Sequence, residues 1–319
     1  MHDSRYGFRI VGALHGERRL VEWSTAFHAY AACDPRAKLE SEAYLSAFTF
    51  GDSFKQHLET TGSTKDYHGD CFASWLWFDI DRADVSDALA DARKLTSSIV
   101  ERYGCNEPLI FFSGSKGFHI GLATSLWNPE PSARFNKYAK AYAVFLASLS
   151  GVTIDESVYD KVRAFRSPNS RHQKTGCYKR CLTMDELLGL RVDRIIELAK
   201  SPEPFDMPSL QSESYDCWED WRAACGSVDA LAESATAKRS SNEHRTSLNR
   251  ATLAFIRESA DIGDRHPALF KAAANLAEFD CSFSLAWALL SESALDSGLS
   301  PADVRRQIEC GLNHKGVSA

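Results

Sequence analysis

The sequence predicts an α+β protein followed by a small all-helical region. Three observations predict it. Between 72 and 122 an apolar strand pattern is followed by an amphipathic helical pattern and then by two short strands joined by a Ser/Gly turn. From about 201 to 247 that patterning dissolves into Pro, Ser, Glu and Arg. After 248 only short amphipathic helical patterns remain.

Residues 1–70 have mixed polarity and several turn signals, and they carry no motif. The apolar run 72–81 ends in Leu76-Trp-Phe-Asp-Ile-Asp81. Val85, Leu89, Ala92, Leu95, Ile99 and Tyr103 then share one helical face, with Gly104 as the stop. Leu109–Phe112 and Phe118–Leu122 are strands flanking Ser113-Gly-Ser-Lys-Gly117, a glycine-bracketed hairpin turn. A second helix, opened by Pro131, is expected to bury Phe135, Tyr138, Tyr142, Phe145 and Leu149. Thr183 and Glu186 have capping-box spacing for a helix running to about Lys200. The 201–247 stretch, including Ala237-Lys-Arg-Ser-Ser-Asn242, is the best candidate for a domain boundary. Four helices follow, on Leu253/Ile256, Leu269/Ala273/Leu276, Leu285/Ala288/Leu289 and Val304/Ile308/Leu312. Ser300 as N-cap, Pro301 at the first helical position and Gly311 at the far end frame the last one.

At 319 residues the chain has room for two domains. No stretch approaches the roughly 18 to 20 apolar residues that span a bilayer, so no membrane partner is expected. The opening Met-His-Asp-Ser-Arg-Tyr lacks an apolar signal core, and nine cysteines without a CxxC pair suit reduced thiols, so a cytoplasmic location is expected. Cys177, Cys181 and His172 have part of a zinc knuckle, but the fourth ligand is missing and no structural zinc is expected. The net charge of −6 argues against indiscriminate coating of nucleic acid. Charge placement says more. From Lys161 to Met184 there are seven Lys or Arg and no Asp or Glu, interleaved with Phe165, Tyr178, Asn169 and Ser170. That mixture suits phosphate contact combined with base or sugar contact.

The chemistry begins with Asp79 and Asp81. Side chains alternate along a strand, so the two carboxylates share a face and offer hard oxygens to magnesium or manganese. Polar punctuation at a strand end would look the same. The turn Ser113-Gly-Ser-Lys-Gly117 brings backbone amides, two hydroxyls and an ammonium to a hairpin tip, as a phosphate cradle requires, although such turns are common. His119 follows on the second strand, where a satisfied core histidine is the competing reading. Val152-Thr-Ile-Asp155 again ends an apolar segment with an acid. A third carboxylate there would complete a two-metal seat, with Glu156 and Asp160 as competing candidates.

Phe-Asp79-Ile-Asp81, Ser113-Gly-Ser-Lys-Gly-Phe-His119 and Ile154-Asp155 together resemble the three successive motifs of the archaeo-eukaryotic primase superfamily, the primase-polymerases. The stretch from Val158 to Lys179 resembles the tail of its plasmid- and phage-type branch. Gly263–Phe270 through Gly298-Leu-Ser300 to Ile308 is similar to that branch's small helical primase C-terminal domain. One departure is Gly117, where some relatives have Ser.

The resemblance implies an RRM-like catalytic core with a mixed or antiparallel sheet, in a domain spanning 1–200 with its motifs in about 70–182. A connecting segment at 201–247 and the helical domain at 248–319 would follow. It further implies that Asp79, Asp81 and Asp155 hold two Mg2+ or Mn2+ ions. Ser113, Ser115, Lys116 and His119 would contact a nucleoside triphosphate. Arg163, Arg166, Ser170, His172, Lys174 and Lys179 would contact nucleotide or template phosphates. The expected activity is primer synthesis on single-stranded DNA, with unwinding left to a separate replicative helicase. Two alternatives are a catalytically silent replication-initiator or adaptor protein, and a gap-filling or end-joining repair polymerase.

Overall fold

The computed structural model describes residues 4–104, 108–209, 212–240 and 247–314. The chain is α+β with antiparallel sheets, and it divides into two compact units, Met1–Glu233 and Ser234–Ala319. Residues 210–211 and 241–246 of the expected connecting segment and 315–319 of the expected C-terminal domain lie outside the described residues.

The first unit opens with β1 (Tyr6–Val11), β2 (Arg19–Glu22), α1 (Trp23–Ala31), β3 (Ala43–Ser46), β4 (Thr49–Phe50), α2 (Asp52–Thr61) and β5 (Cys71–Phe72). Then come β6 (Trp75–Asp81), α3 (Val85–Tyr103), β7 (Leu109–Phe112), β8 (Gly117–Ala123) and α4 (Phe135–Leu149). It continues with β9 (Ala164–Arg166), β10 (Arg180–Leu182), α5 (Met184–Gly189) and α6 (Val192–Leu198), and α7 (Tyr215–Ser240) begins in it and runs past the division at Glu233. One sheet has the order β5-β4-β1-β3-β9 with β2 also on β1, and the other has the order β10-β7-β8-β6. The motif-free first 70 residues thus build most of a sheet.

In the second sheet β6 and β8 pair so that Asp79 stands opposite His119 and Asp81 opposite Gly117. Phe78, Ile80, Phe118 and Ile120, on the other face, are fully buried, and alternation along the strands separates them from the acids. On the acids' face, Phe165 of β9 packs its ring 4.3 Å from His119 and 5.4 Å from Trp77. An edge strand of the first sheet therefore lies over the acidic face of the second.

The helix boundaries follow local chemistry. Asp84 caps α3 by accepting from Ser86 N, and Gly104 ends it at φ 63. In α4 the buried stripe is Phe135, Ala139, Tyr142, Ala143 and Leu146. Phe145 and Leu149, expected inside, are 37% and 50% exposed, because the buried face runs through Ala143, Leu146 and Ala147 instead. Helix α4 also starts at Phe135 rather than at Pro131. The Thr183/Glu186 capping box forms, but the helix stops at Gly189 instead of running to Lys200. The Arg93 guanidinium donates to Leu187 O and Leu190 O, satisfying the carbonyls that a longer helix would have used.

A helix, α7, occupies part of the stretch read as a connecting segment. It is anchored by buried Cys217, Trp221 and Ala224, with Trp221 among Trp127, Phe135, Tyr138 and Tyr142. Asp220 accepts from Arg102 at 2.8 Å and from the Tyr103 hydroxyl at 2.6 Å. Three apolar positions in a polar sequence are a weak periodic signal, and tertiary packing supplies the rest.

The described part of the second unit contains α8 (Arg250–Glu258), α9 (Arg265–Ala277), α10 (Phe283–Asp296) and α11 (Pro301–Leu312). Their core is Phe255, Leu269, Ala273, Leu276, Leu290, Val304 and Ile308. The expected stripes hold for α9 and for Val304 and Ile308 of α11. In α8 and α10 they shift by one residue, with Phe255 and Ala286/Leu290/Ala294 inside and Leu285 53% exposed. Ser300 caps α11 through Asp303 N. Gly311 does not terminate that helix. A Cβ there would lie 2.6 Å from Ala273 Cβ, so this glycine lets α11 approach α9 closely.

Candidate active site

A cleft of about 200 Å³ opens between β9 and the acidic face of the β6–β8 pair. It is lined by Asp79, Asp81, Ser113, Ser115, Lys116, His119, Arg163, Arg166 and His172, together with Leu14, Tyr44, Ala164 and Phe165. Nine of the thirteen residues singled out from the sequence thus line one cavity, although they come from three separate stretches of chain. Leu14 and Tyr44 escaped sequence reading because they sit in the motif-free N-terminal segment. Phe165 was visible only as an aromatic within the basic stretch.

The local fold explains this convergence. Ser113 N donates to Gly117 O, and Ser113 Oγ accepts from Gly117 N at 3.2 Å, which closes the hairpin tip. Lys116 Nζ then lies 3.6 Å from Asp81 Oδ2. The basic stretch folds back on the same hairpin. The Thr175 hydroxyl donates to Gly114 O, and Arg171 pairs with Tyr178 in an isolated antiparallel bridge.

Asp79 carries the site's electrostatic problem. Its Oδ1 is buried without a hydrogen-bond partner, with His119 Nε2 3.5 Å away. Burial, and then the charges of Asp81 and Asp155, push its carboxyl up to about 7, against the opposing pull of Lys179 and Arg163. Burial holds His119 well below its ordinary value, helped by Lys179 and Arg166, so its imidazole is neutral. Its Nδ1 is likewise buried without a partner.

Asp155 reaches this region by its backbone. Asp155 N donates to Asp79 O at 2.8 Å along the free edge of β6. Its carboxylate, however, accepts from Ser157 N and Oγ at 2.8 and 2.9 Å, capping a 3-10 turn over Glu156–Tyr159. Among the described residues, no three His, Cys, Asp or Glu side chains converge closely enough to hold a metal ion. The donors nevertheless fit one in kind. Asp79 and Asp81 are hard oxygen ligands on one face, and the repulsion that raises the Asp79 carboxyl is what a divalent cation would relieve. Recruiting Asp155 requires its carboxylate to leave Ser157.

Four expected contacts fall outside the cleft lining: Asp155, Ser170, Lys174 and Lys179. Lys174 is exposed in the turn after His172. Ser170 is fully buried, its hydroxyl donating to Ser167 O at 2.8 Å with Ala43 O at 3.3 Å. Lys179 is 1% exposed; its ammonium donates to Arg166 O and lies 4.4, 4.6 and 5.3 Å from the Phe165, Phe111 and Trp77 rings. Burial holds this amine well below its ordinary value, against the opposing pull of Asp79, and cation–π attraction to the rings offsets part of the desolvation of its charged form.

No family model and no curated protein matches the chain. Among solved structures, it is similar to the crystal structure of primase RepB', at 14% identity and a TM-score of 0.38, over 97% of this chain and 90% of that one. No residue of the cleft is assigned through that likeness. No helix among the described residues is long and apolar enough to cross a membrane.

Proposed function

We propose that the cleft joins nucleotides on a single-stranded DNA template and that the chain is a primase, with DNA polymerase activity, of a plasmid- or phage-like replicon. The carrying observation is the common cavity itself. Residues of the two-acid strand, the Ser-Gly-Ser-Lys-Gly-Phe-His hairpin and the basic stretch line it together. A basic wall facing an acidic pair is the arrangement phosphoryl transfer needs, since its catalysis is chiefly positioning and charge stabilisation.

In this reading Asp79 and Asp81, with Asp155 once freed from Ser157, hold Mg2+ or Mn2+, which would neutralise charge on the reacting phosphate. Ser113, Ser115 and Lys116 bind the triphosphate at the hairpin tip. Neutral His119 presents a hydrogen-bonding imidazole without adding charge. Arg163, Arg166 and His172 face the nucleotide's anionic part from the opposite wall. The order β6-α3-β7-β8-α4, with β8 between β6 and β7, supports an RRM-like core, from which β10 departs by lying beside β7. The helical region at 248–319 would serve as the primase C-terminal domain, and a separate helicase would open the duplex.

A silent DNA-binding adaptor is disfavoured by Asp79, because a buried carboxyl with an unpartnered oxygen and two neighbouring acids is costly and brings a binding module no benefit. A repair polymerase would use the same cleft. Primer synthesis from labelled nucleotides on primer-free single-stranded templates separates the readings. De novo products lost in Asp79→Ala and Asp81→Ala support the primase. Extension of supplied primers without de novo products favours repair, and no incorporation by the unaltered protein overturns catalysis.

A further inference from the structure

Arg166 is fixed from both ends before any ligand arrives. Its Nη2 donates to Glu42 Oε1 at 2.7 Å and to the Tyr44 hydroxyl at 3.3 Å, with the Glu42 and Arg166 side chains 16% and 13% exposed. Its main-chain carbonyl accepts from Lys179 Nζ at 2.8 Å. The β3–β9 register sets this up, since Tyr44 stands opposite Arg166 and Glu42 immediately precedes β3. The other arm of the guanidinium, Nη1, is buried with no partner, while Arg166 lines the cleft beside His119 and His172.

Arginine–carboxylate pairs are frequently bidentate, with both arms of the fork engaged. Here one arm is occupied and the other is desolvated and without a partner. Leaving such a donor unsatisfied is unfavourable unless an acceptor completes it. We propose that Glu42 is a positioning residue that locks Arg166 so that Nη1 is kept for the anionic part of a nucleoside triphosphate. This rests on the nucleotidyl-transfer reading, and it gives the motif-free N-terminal segment a part in substrate binding.

The test is binding of dGTP in calcium buffer, followed by titration calorimetry on the full chain. Glu42→Ala and Arg166→Ala are each expected to weaken binding about tenfold. Glu42→Gln, which keeps an acceptor, should stay within about threefold of the unaltered protein, and adding Glu42→Ala to Arg166→Ala should cause no further loss. If Glu42→Ala does not fold, Glu42→Asp, one methylene too short to reach Nη2, should show the same loss. Unchanged affinity in Glu42→Ala or Glu42→Asp, or additive losses in the double variant, overturn the assignment while leaving the proposed function intact. Absence of dGTP binding by the unaltered protein overturns both.

Discussion

Asp79 is where the cost of the site is concentrated. Its carboxyl titrates near 7 in the metal-free fold and near 3.8 as an ordinary aspartate. A carboxyl raised on folding contributes stability that is intact below the unfolded value and is lost as pH rises through the folded one. Asp79→Asn should therefore stabilise the chelator-treated protein at pH 8, by on the order of 4 kcal/mol at about 1.4 kcal/mol per unit, and change little at pH 4. Urea unfolding in EDTA at the two pH values measures this, and equal effects at both would refute the account. The same variant should lose at least about a hundredfold in incorporation. Lys179 is buried, with its side-chain nitrogen enclosed by three rings. Lys179→Met keeps the volume, so it should fold and leave the salt dependence of single-stranded DNA binding unchanged. A slope shallower by about 0.7 would instead mean that Lys179 neutralises a phosphate.

At the scale of elements, the β6–β8 pair sets the distance between acids and hairpin. Gly117 faces Asp81 across that pair, and a Cβ on it would overlap Asp81 Oδ1 and lie 2.5 Å from the Ile80 carbonyl oxygen. Gly117→Ala is expected to cut incorporation by about a hundredfold, since small displacements of reacting groups are costly, while the fold survives with a loss of about 1–3 kcal/mol. Activity kinetics paired with thermal melts would check this, and unaltered activity would show that Asp81 needs no such contact. The strands and hairpin of this region were legible because period-two alternation and turn residues are local. The phases of α8 and α10 were not, because alanine and leucine compete for the inside and only neighbouring helices decide between them. The early stop after α5 depends on Arg93, nearly a hundred residues away, which no local pattern announces.

For the whole molecule, α7 is held to the first unit by Trp221 and the Arg102–Asp220–Tyr103 cluster. Trp221→Ala should lower stability by about 3–5 kcal/mol, as for other buried aromatics, and denaturant titration would reveal it. The first compact unit ends at Glu233. A chain ending there should retain dGTP binding and primer extension yet lose de novo synthesis, if the helical region assists initiation. Undiminished de novo products from the truncated chain would remove that role.

The sequence by itself determined the acid pair, the hairpin, the basic stretch and the α+β character, because each is written in residues within a few positions of one another. Only the tertiary structure decided which residues of the basic stretch face the cleft. Arg163, Arg166 and His172 line it, whereas Ser170 and Lys179 are turned inward to satisfy buried carbonyls. It also decided that Glu42 and Tyr44 belong beside Arg166. The physical reason is that a side chain's surroundings are set by strands paired across more than a hundred residues, and chain order carries no signal of that pairing.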